Sequence, residues 1–323
     1  MIPPGTARIA DPSSDRIRSR SEPRHEPMAG GRAGSEGSTS MTRIALLGAG
    51  GKMGVRLATN LRGSRFAVDH VEVSEPGRER LRSLVGAECV ELDEALGRAD
   101  VVVMAVPDRM IGKIAHQIID KVRPGTAFVV LDAAAPHAGE MPKRDDVTYF
   151  VTHPCHPPLY NDETDPAAKR DVFGGVLAKQ HIVCALMQGP EEHYALGEEI
   201  AREIYKPVMD AHRCTVEQIA ILEPALSETV AITLCIALRE ATDEAVRRGV
   251  PHKAAVDFVM GHINIGLAIA FGIFPEGRFS DGALHAIAQA KPVIFRDDWK
   301  ERVFDPQAVL QSVRDICDPP AAG

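Results

Sequence analysis

The stretch Ile44-Ala45-Leu46-Leu47-Gly48-Ala49-Gly50-Gly51-Lys52-Met53-Gly54 decides the fold. An apolar run of strand length enters a glycine turn, and a helical stretch, Val55 to Leu61, leaves it. Glycine tolerates positive φ and places no Cβ between the backbone and a ligand. The helix start beyond the turn offers free N–H groups and a partial positive charge, which suits a diphosphate. Gly48, Gly51 and Gly54 form a GxxGxxG variant with an additional Gly50, a departure from strict GxGxxG. A tight turn that only packs uses the same residues. The strand–turn–helix setting is what favours dinucleotide binding, with Gly48, Ala49, Gly50, Gly51, Lys52, Met53 and Gly54 as its residues.

The chain beyond the turn repeats the same alternation. Phe66 to Val73 reads as a second strand, with Glu72 at its end, 24 residues past Gly48. An acid there meets the adenosine ribose hydroxyls and repels a 2′-phosphate, favouring NAD over NADP. Arg78 and Arg80 follow closely and weigh the other way. A solvated strand-end acid is the plainer reading of Glu72. Asp100 to Asp108 contains a β-branched run suited to a buried parallel sheet, and it ends at Val106-Pro107-Asp108. Arg109 to Val122 reads as helix, Thr126 to Leu131 as strand ending in Asp132-Ala133-Ala134-Ala135-Pro136, and Val147 to Val151 as the next strand. The pattern predicts an α/β fold with an N-terminal Rossmann domain, a doubly wound parallel sheet. Cofactor and substrate are expected outside the C-terminal strand ends.

The segment leaving that last strand is Thr152-His153-Pro154-Cys155-His156-Pro157-Pro158, the densest group of reactive side chains in the chain. Its histidines suit either a general base or a metal ligand; capping of backbone groups in a rigid loop is the alternative. Nothing around Cys155 lowers a thiol pKa. After another strand, His181 to Leu186, and a helix to about Ile204, strands cease near Cys214. Thr215-Val216-Glu217-Gln218 has capping-box spacing. The helix it opens runs toward Arg248, about 50 Å at 1.5 Å per residue, with Pro224 placed to kink or split it. Glu223 and Ser227 share a face at helical spacing and Glu228 lies on a neighbouring one. The middle, Val230 to Leu238, is apolar nearly all round, so it must be covered on most sides. A homodimer is the expected cover. Three segments result: 1–40, a disordered tail or an upstream mis-called start; 41–212, the NAD-binding domain; and 213–318, an all-helical substrate and dimerisation domain.

Composition narrows the partners. Of 323 residues, 45% are apolar and 25% charged, enough for a sizeable core, and the net charge of −8 argues against nucleic acid. Six scattered cysteines without a CxxC pair read as reduced thiols of a cytoplasmic protein. No run reaches the ~20 apolar residues of a membrane span, so no membrane partner is expected.

The order of parts resembles the β-hydroxyacid and 6-phosphogluconate dehydrogenase group. The glycine turn, Asp132 to Pro136, His153 to Pro158, Asn161 to Pro166, Ala185 to Tyr194 and Ile221-Leu222-Glu223-Pro224 together resemble the D-apionate oxidoisomerase family, over about Arg43 to Val303. The resemblance implies NAD-dependent oxidation of a branched sugar acid coupled to skeletal rearrangement, giving 3-oxo-isoapionate. One departure from the broad group is that no lysine lies between Thr215 and Arg248, where its hydroxyacid dehydrogenases carry a catalytic one. Proton transfer then falls to His153 or His156 on the loop or Glu223 or Glu228 on the helix, with His156 and Glu228 as the assigned acid–base residues. Adenosine ribose contact falls to Glu72, further cofactor contacts to Val106, Pro107 and Asp108, and a divalent metal, Zn²⁺ or Mn²⁺, to His153 and Glu223. The rival expectations are a simple NAD(P)-dependent sugar-acid dehydrogenase and a catalytically silent NAD(H) sensor.

Overall fold

The computed structural model describes residues 41–319; the expectation for residues 1–40 lies outside them. Seven strands form one sheet in the order β2-β1-β3-β4-β5-β6-β7. They are β1 (Arg43–Leu47), β2 (Ala67–Val71), β3 (Val101–Met104), β4 (Ala127–Val130), β5 (Thr148–Pro154), β6 (Gln180–Gln188) and β7 (Val208–Arg213). The first five are mutually parallel, as the strand–helix alternation predicts. The sheet is not parallel throughout: β6 runs antiparallel to β5. The connection explains the reversal, since the histidine segment joins them as a loop without a crossover helix, and only a crossover returns a strand parallel.

Side chains along each strand alternate between two cores. Ala45, Leu47, Val102, Met104, Phe128 and Val130 face one. Ile44, Leu46, Val101, Val103 and Val129 face the other. The second core is covered by α1 (Lys52–Leu61), α2 (Glu75–Val85) and α6 (Glu192–Ile204). The first is covered by α3 (Leu92–Arg98), α4 (Asp108–Ile118), α5 (Ala134–Ala138) and, from far along the chain, α12 (Pro306–Cys317). The amphipathic α12 inserts Val309, Val313 and Cys317, all nearly inaccessible, beside α4 and α5.

The long helix forms as one continuous piece, Val216–Arg247. Its capping box is present: the Thr215 hydroxyl accepts from the Gln218 amide, and the Thr215 amide donates to the Gln218 side chain at 2.9 Å. Pro224 does not split it. Between α7 (Val216–Ala220) and α8 (Thr233–Arg247) the chain winds as a wide π-helix over Ile221–Ile232. The wider winding makes room for the proline ring, which in an α-helix strikes the carbonyl four residues back. Then follow α9 (His252–Ala270), α10 (Asp281–Ile294) and α11 (Trp299–Val303). By length and mean hydropathy the long helix and α9 each reach the measure of a membrane span, against the sequence expectation. That expectation looked for an uninterrupted apolar run, whereas scattered polar residues such as Ser227, His262 and Asn264 leave the average high.

Candidate active site

A cleft of about 380 Å³ opens at the C-terminal ends of β3, β4 and β5, between the glycine turn and the π-helical segment. Each strand delivers a residue where it stops. Pro107 and Asp108 follow β3 and open α4, Asp132 follows β4, and His153 stands at the end of β5. Glu223 and Glu228 reach in from the helix opposite. In a helix closed by i→i+5 bonds one turn takes in more residues than 3.6, so residues five apart share a face. That winding, and not α-helical spacing, sets Glu228 beside Glu223. The Thr229 hydroxyl donates to the Pro224 carbonyl, five residues back, at 2.7 Å.

His153 Nε2 lies 3.2 Å from a carboxylate oxygen of Glu223. Its Nδ1 sits 3.0 Å from the Leu131 carbonyl, which only accepts, so the proton belongs on Nδ1. A neutral ring then points its Nε2 lone pair at an anion. The pair demands a proton or a cation between the two atoms. The other acids sharpen the demand. Burial raises the Asp108 carboxyl above its ordinary range, with Asp132 adding to the shift. Burial does the same for Asp132, against a 2.6 Å hydrogen bond from the Ala134 amide. Glu228 is raised by burial and then by Glu223, Asp132 and Asp108. Four carboxyl groups and one lysine, Lys52, share this space, so the cleft favours a bound cation or retained protons. Among the described residues no three His, Cys, Asp or Glu side chains converge closely enough to enclose a metal.

The glycine turn sits along the cleft's other wall. Gly48 has φ +73°, and a Cβ there would lie 2.3 Å from the Ala105 carbonyl oxygen. A Cβ on Gly54 would meet the Gly48 oxygen at 2.0 Å, so the helix start can approach the turn only without a side chain. No side chain caps α1; its first amides stay available to an anion. Gly51, Lys52, Met53, Val106, Pro107 and Asp108 all line the cleft, while Gly48, Ala49 and Gly54 shape the turn behind it. Glu72 is nearly buried. One of its oxygens accepts from the Gly50 amide at 3.1 Å, the other from the amide and hydroxyl of Ser74 at 2.8 Å. The carboxylate clasps the turn, and lone pairs remain for a hydroxyl. Arg78 and Arg80 spend their Nε protons on the Glu72 and Gly50 carbonyls.

The histidine segment divides. His153 enters the cleft, whereas His156 is exposed, adopts φ +60° and sets its Nδ1 2.8 Å from the Phe173 carbonyl. It is not among the cleft-lining residues. Desolvation, with Cys214 and Glu223 nearby, pushes the Cys155 thiol up, away from a reactive thiolate. Asp132 was not singled out from sequence. Its signal was an acid directly after a buried strand, the same signal that marks Asp108.

Fold and cleft together define a Rossmann-type oxidoreductase with its site between the sheet ends and a long helix. Residues 39–159 match the acetohydroxy acid isomeroreductase NADPH-binding domain, and 161–317 the C-terminal domain of decarboxylating phosphogluconate dehydrogenase. The chain belongs to the D-apionate oxidoisomerase family. It is 59% identical over 276 residues to the enzyme of that name from Rhizobium rhizogenes, covering 85% of this chain and all of that one. To the Cupriavidus necator enzyme it is 57% identical, covering 85% and 99%. A crystal structure of a semialdehyde dehydrogenase NAD-binding protein from Cupriavidus necator, in complex with calcium and NAD, matches with TM-score 0.83 at 57% identity, over 85% of this chain and 99% of that one. An NADH-preferring ketol-acid reductoisomerase from an uncultured archaean matches with TM-score 0.62 at 19% identity, covering 86% and 82%, a likeness of fold alone.

Proposed function

We propose that this protein oxidises D-apionate with NAD and rearranges its carbon skeleton to 3-oxo-isoapionate. The observation that carries the reading is the convergence of His153, Glu223, Glu228, Asp108 and Asp132 beside an uncapped glycine-turn helix, in a chain 59% identical to a D-apionate oxidoisomerase. The residues fit NAD. The first amides of α1 hold the diphosphate, Glu72 keeps a lone pair for the adenosine ribose, and Val106-Pro107 flank the nicotinamide. NAD supplies the hydride acceptor.

The residues also fit a divalent cation, because the lone pair of His153 Nε2 and the Glu223 carboxylate face each other across 3.2 Å. His153 and Glu223 would hold it, leaving positions for two substrate oxygens. Such a cation supplies Lewis acidity toward the carbonyl that oxidation creates. Zn²⁺ or Mn²⁺ suits the mixed N,O pair; Ca²⁺, present in the Cupriavidus structure, suits it if substrate and water supply most of the oxygens. Glu228 takes the hydroxyl proton as the hydride leaves carbon. Its raised pKa keeps it basic enough to hold that proton during the rearrangement. His156, bonded to the Phe173 carbonyl, is assigned the loop's shape rather than first contact with the proton.

The test is turnover of D-apionate with NAD or NADP, with and without chelator, followed by NMR of the product. NADH with a rearranged skeleton, lost on chelation and restored by one of the three cations, is the expected result. NADH with an unrearranged skeleton leaves a plain dehydrogenase. Tight NADH binding without turnover of any sugar acid leaves a sensor.

A further inference from the structure

Among the residues that line the cleft, Lys52 is the one cationic side chain, set against the carboxyl groups of Asp108, Asp132, Glu223 and Glu228. Ion pairs among the described residues engage Lys121, Lys206 and Lys253 but not Lys52. Its ammonium instead stands over the Phe173 ring, 5.4 Å from the centre, within reach of the negative face of the aromatic system. A lysine side chain in water samples many rotamers; a ring beneath its charge narrows them.

Phe173 is itself held from several sides. Arg56 lies over the same ring, its guanidinium carbon 4.1 Å from the centre, and donates to the Gly174 carbonyl at 2.8 Å. The His156 ring packs against it with centroids 4.9 Å apart. His156 Nδ1 donates to the Phe173 carbonyl at 2.8 Å, since a carbonyl only accepts. Asp171 closes the loop by accepting from the amides of Gly174, Leu177 and Ala178 at 3.1, 2.8 and 3.1 Å. Asn60, further along α1, donates to the Gly175 carbonyl at 3.0 Å. The histidine segment and the first helix thus grip one loop, and that loop presents one ring to Lys52.

We propose that Phe173 is a positioning residue: it holds the Lys52 ammonium at the cleft as the seat for the carboxylate of the sugar acid, and His156 acts on the reaction by bracing Phe173. A sugar acid enters as an anion, and four carboxyl groups repel it unless a cation meets it. His153 does not serve, because its Nδ1 proton is spent on the Leu131 carbonyl. Arg56 does not serve either; it is spent on the Gly174 carbonyl and stands outside the cleft lining. The diphosphate of NAD has the uncapped amides of α1, which leaves the ammonium for the second anion. The carboxylate assignment rests on the proposed function; the contact between Phe173 and Lys52 does not.

The test reads binding rather than turnover. The enzyme–NADH complex is titrated by calorimetry with D-apionate and, separately, with the linear sugar acid D-erythronate. Phe173→Leu keeps the apolar bulk and removes the ring. It should weaken sugar-acid binding about threefold to tenfold and leave the NADH Kd within about twofold, whereas Phe173→Tyr restores wild-type binding. Lys52→Met should weaken it by at least as much. Phe173→Leu added to Lys52→Met should cost nothing more, because the ring then has no charge to hold. A Phe173→Leu loss that persists in full in the Lys52→Met protein marks packing alone and overturns the proposal. So does a weakened NADH Kd with unchanged acid binding, which gives Lys52 to the diphosphate, and so does failure of both acids to bind the wild-type complex. Binding of D-erythronate without D-apionate, weakened by the same substitutions, upholds the seat and overturns the substrate of the proposed function instead.

Discussion

Two regions of this chain are rich in apolar residues and differ in where the apolar surface goes. In the sheet, Val101 to Met104 are inaccessible on both faces, because helices from the same chain cover them. Along α8 to α10 the same kinds of residue stand in the open, and Phe258, Val293 and Ile294 are each about two-thirds exposed or more. Hydrophobic burial is proportional to area removed from water and indifferent to which chain removes it. The difference teaches that the sheet half buries its apolar residues within its own chain, whereas the helical half leaves the same kinds of residue exposed. The cleft acids stand where the regions meet: Asp108 and Asp132 at strand ends, Glu223 and Glu228 on the helix.

The largest expected effect lies at that boundary. Glu228→Gln should lower kcat by about 10²–10⁴, the usual worth of a positioned acid–base group, while NADH titration gives an unchanged Kd. Unchanged turnover would move proton transfer elsewhere and separate the helix from the chemistry.

The comparison itself is tested by the same truncation in each region. Leu46→Ala opens a cavity in the closed core and should cost about 2–5 kcal/mol in denaturant unfolding. Leu234→Ala, on the exposed helix, should leave dilute-protein unfolding within about 0.5 kcal/mol of wild type. Equal losses at both sites would erase the distinction between the regions.

The smallest effect concerns the clasp beneath the glycine turn. Burial tends to raise the Glu72 carboxyl, but bonds from Ser74 and Gly50 outweigh it and hold the group below its ordinary range. A carboxyl depressed in the folded state adds stability above its unfolded value, and loses it as pH falls through the folded one. Glu72→Gln should flatten the acid limb of the stability–pH curve measured by denaturant unfolding. An unchanged limb would show the clasp to be solvated.

The glycine turn, five parallel strands and the capping box were legible because each is a local pattern: spacing, alternation, or a side chain reaching three residues away. His153 and Glu223 were named from sequence, and the fold sets them 3.2 Å apart. Asp132 escaped because one acid after a strand gains meaning only when its neighbours in space are known. Glu223 and Glu228 were read from an α-helical period as lying on neighbouring faces; both line the cleft, from a helix whose winding around Pro224 is wider than that period.

What the sequence determined by itself is the first six strands, the turn and the reactive loop, because those depend on periods of two and three to four residues and on glycine's backbone freedom. Tertiary structure alone decided that β6 reverses, that α12 returns to fill the first core, that the two glutamates meet Asp108 and Asp132 in one cleft, and that the apolar helices face outward. Each of these turns on contacts between residues tens to hundreds of positions apart, and no local pattern encodes which distant surface a chain will meet.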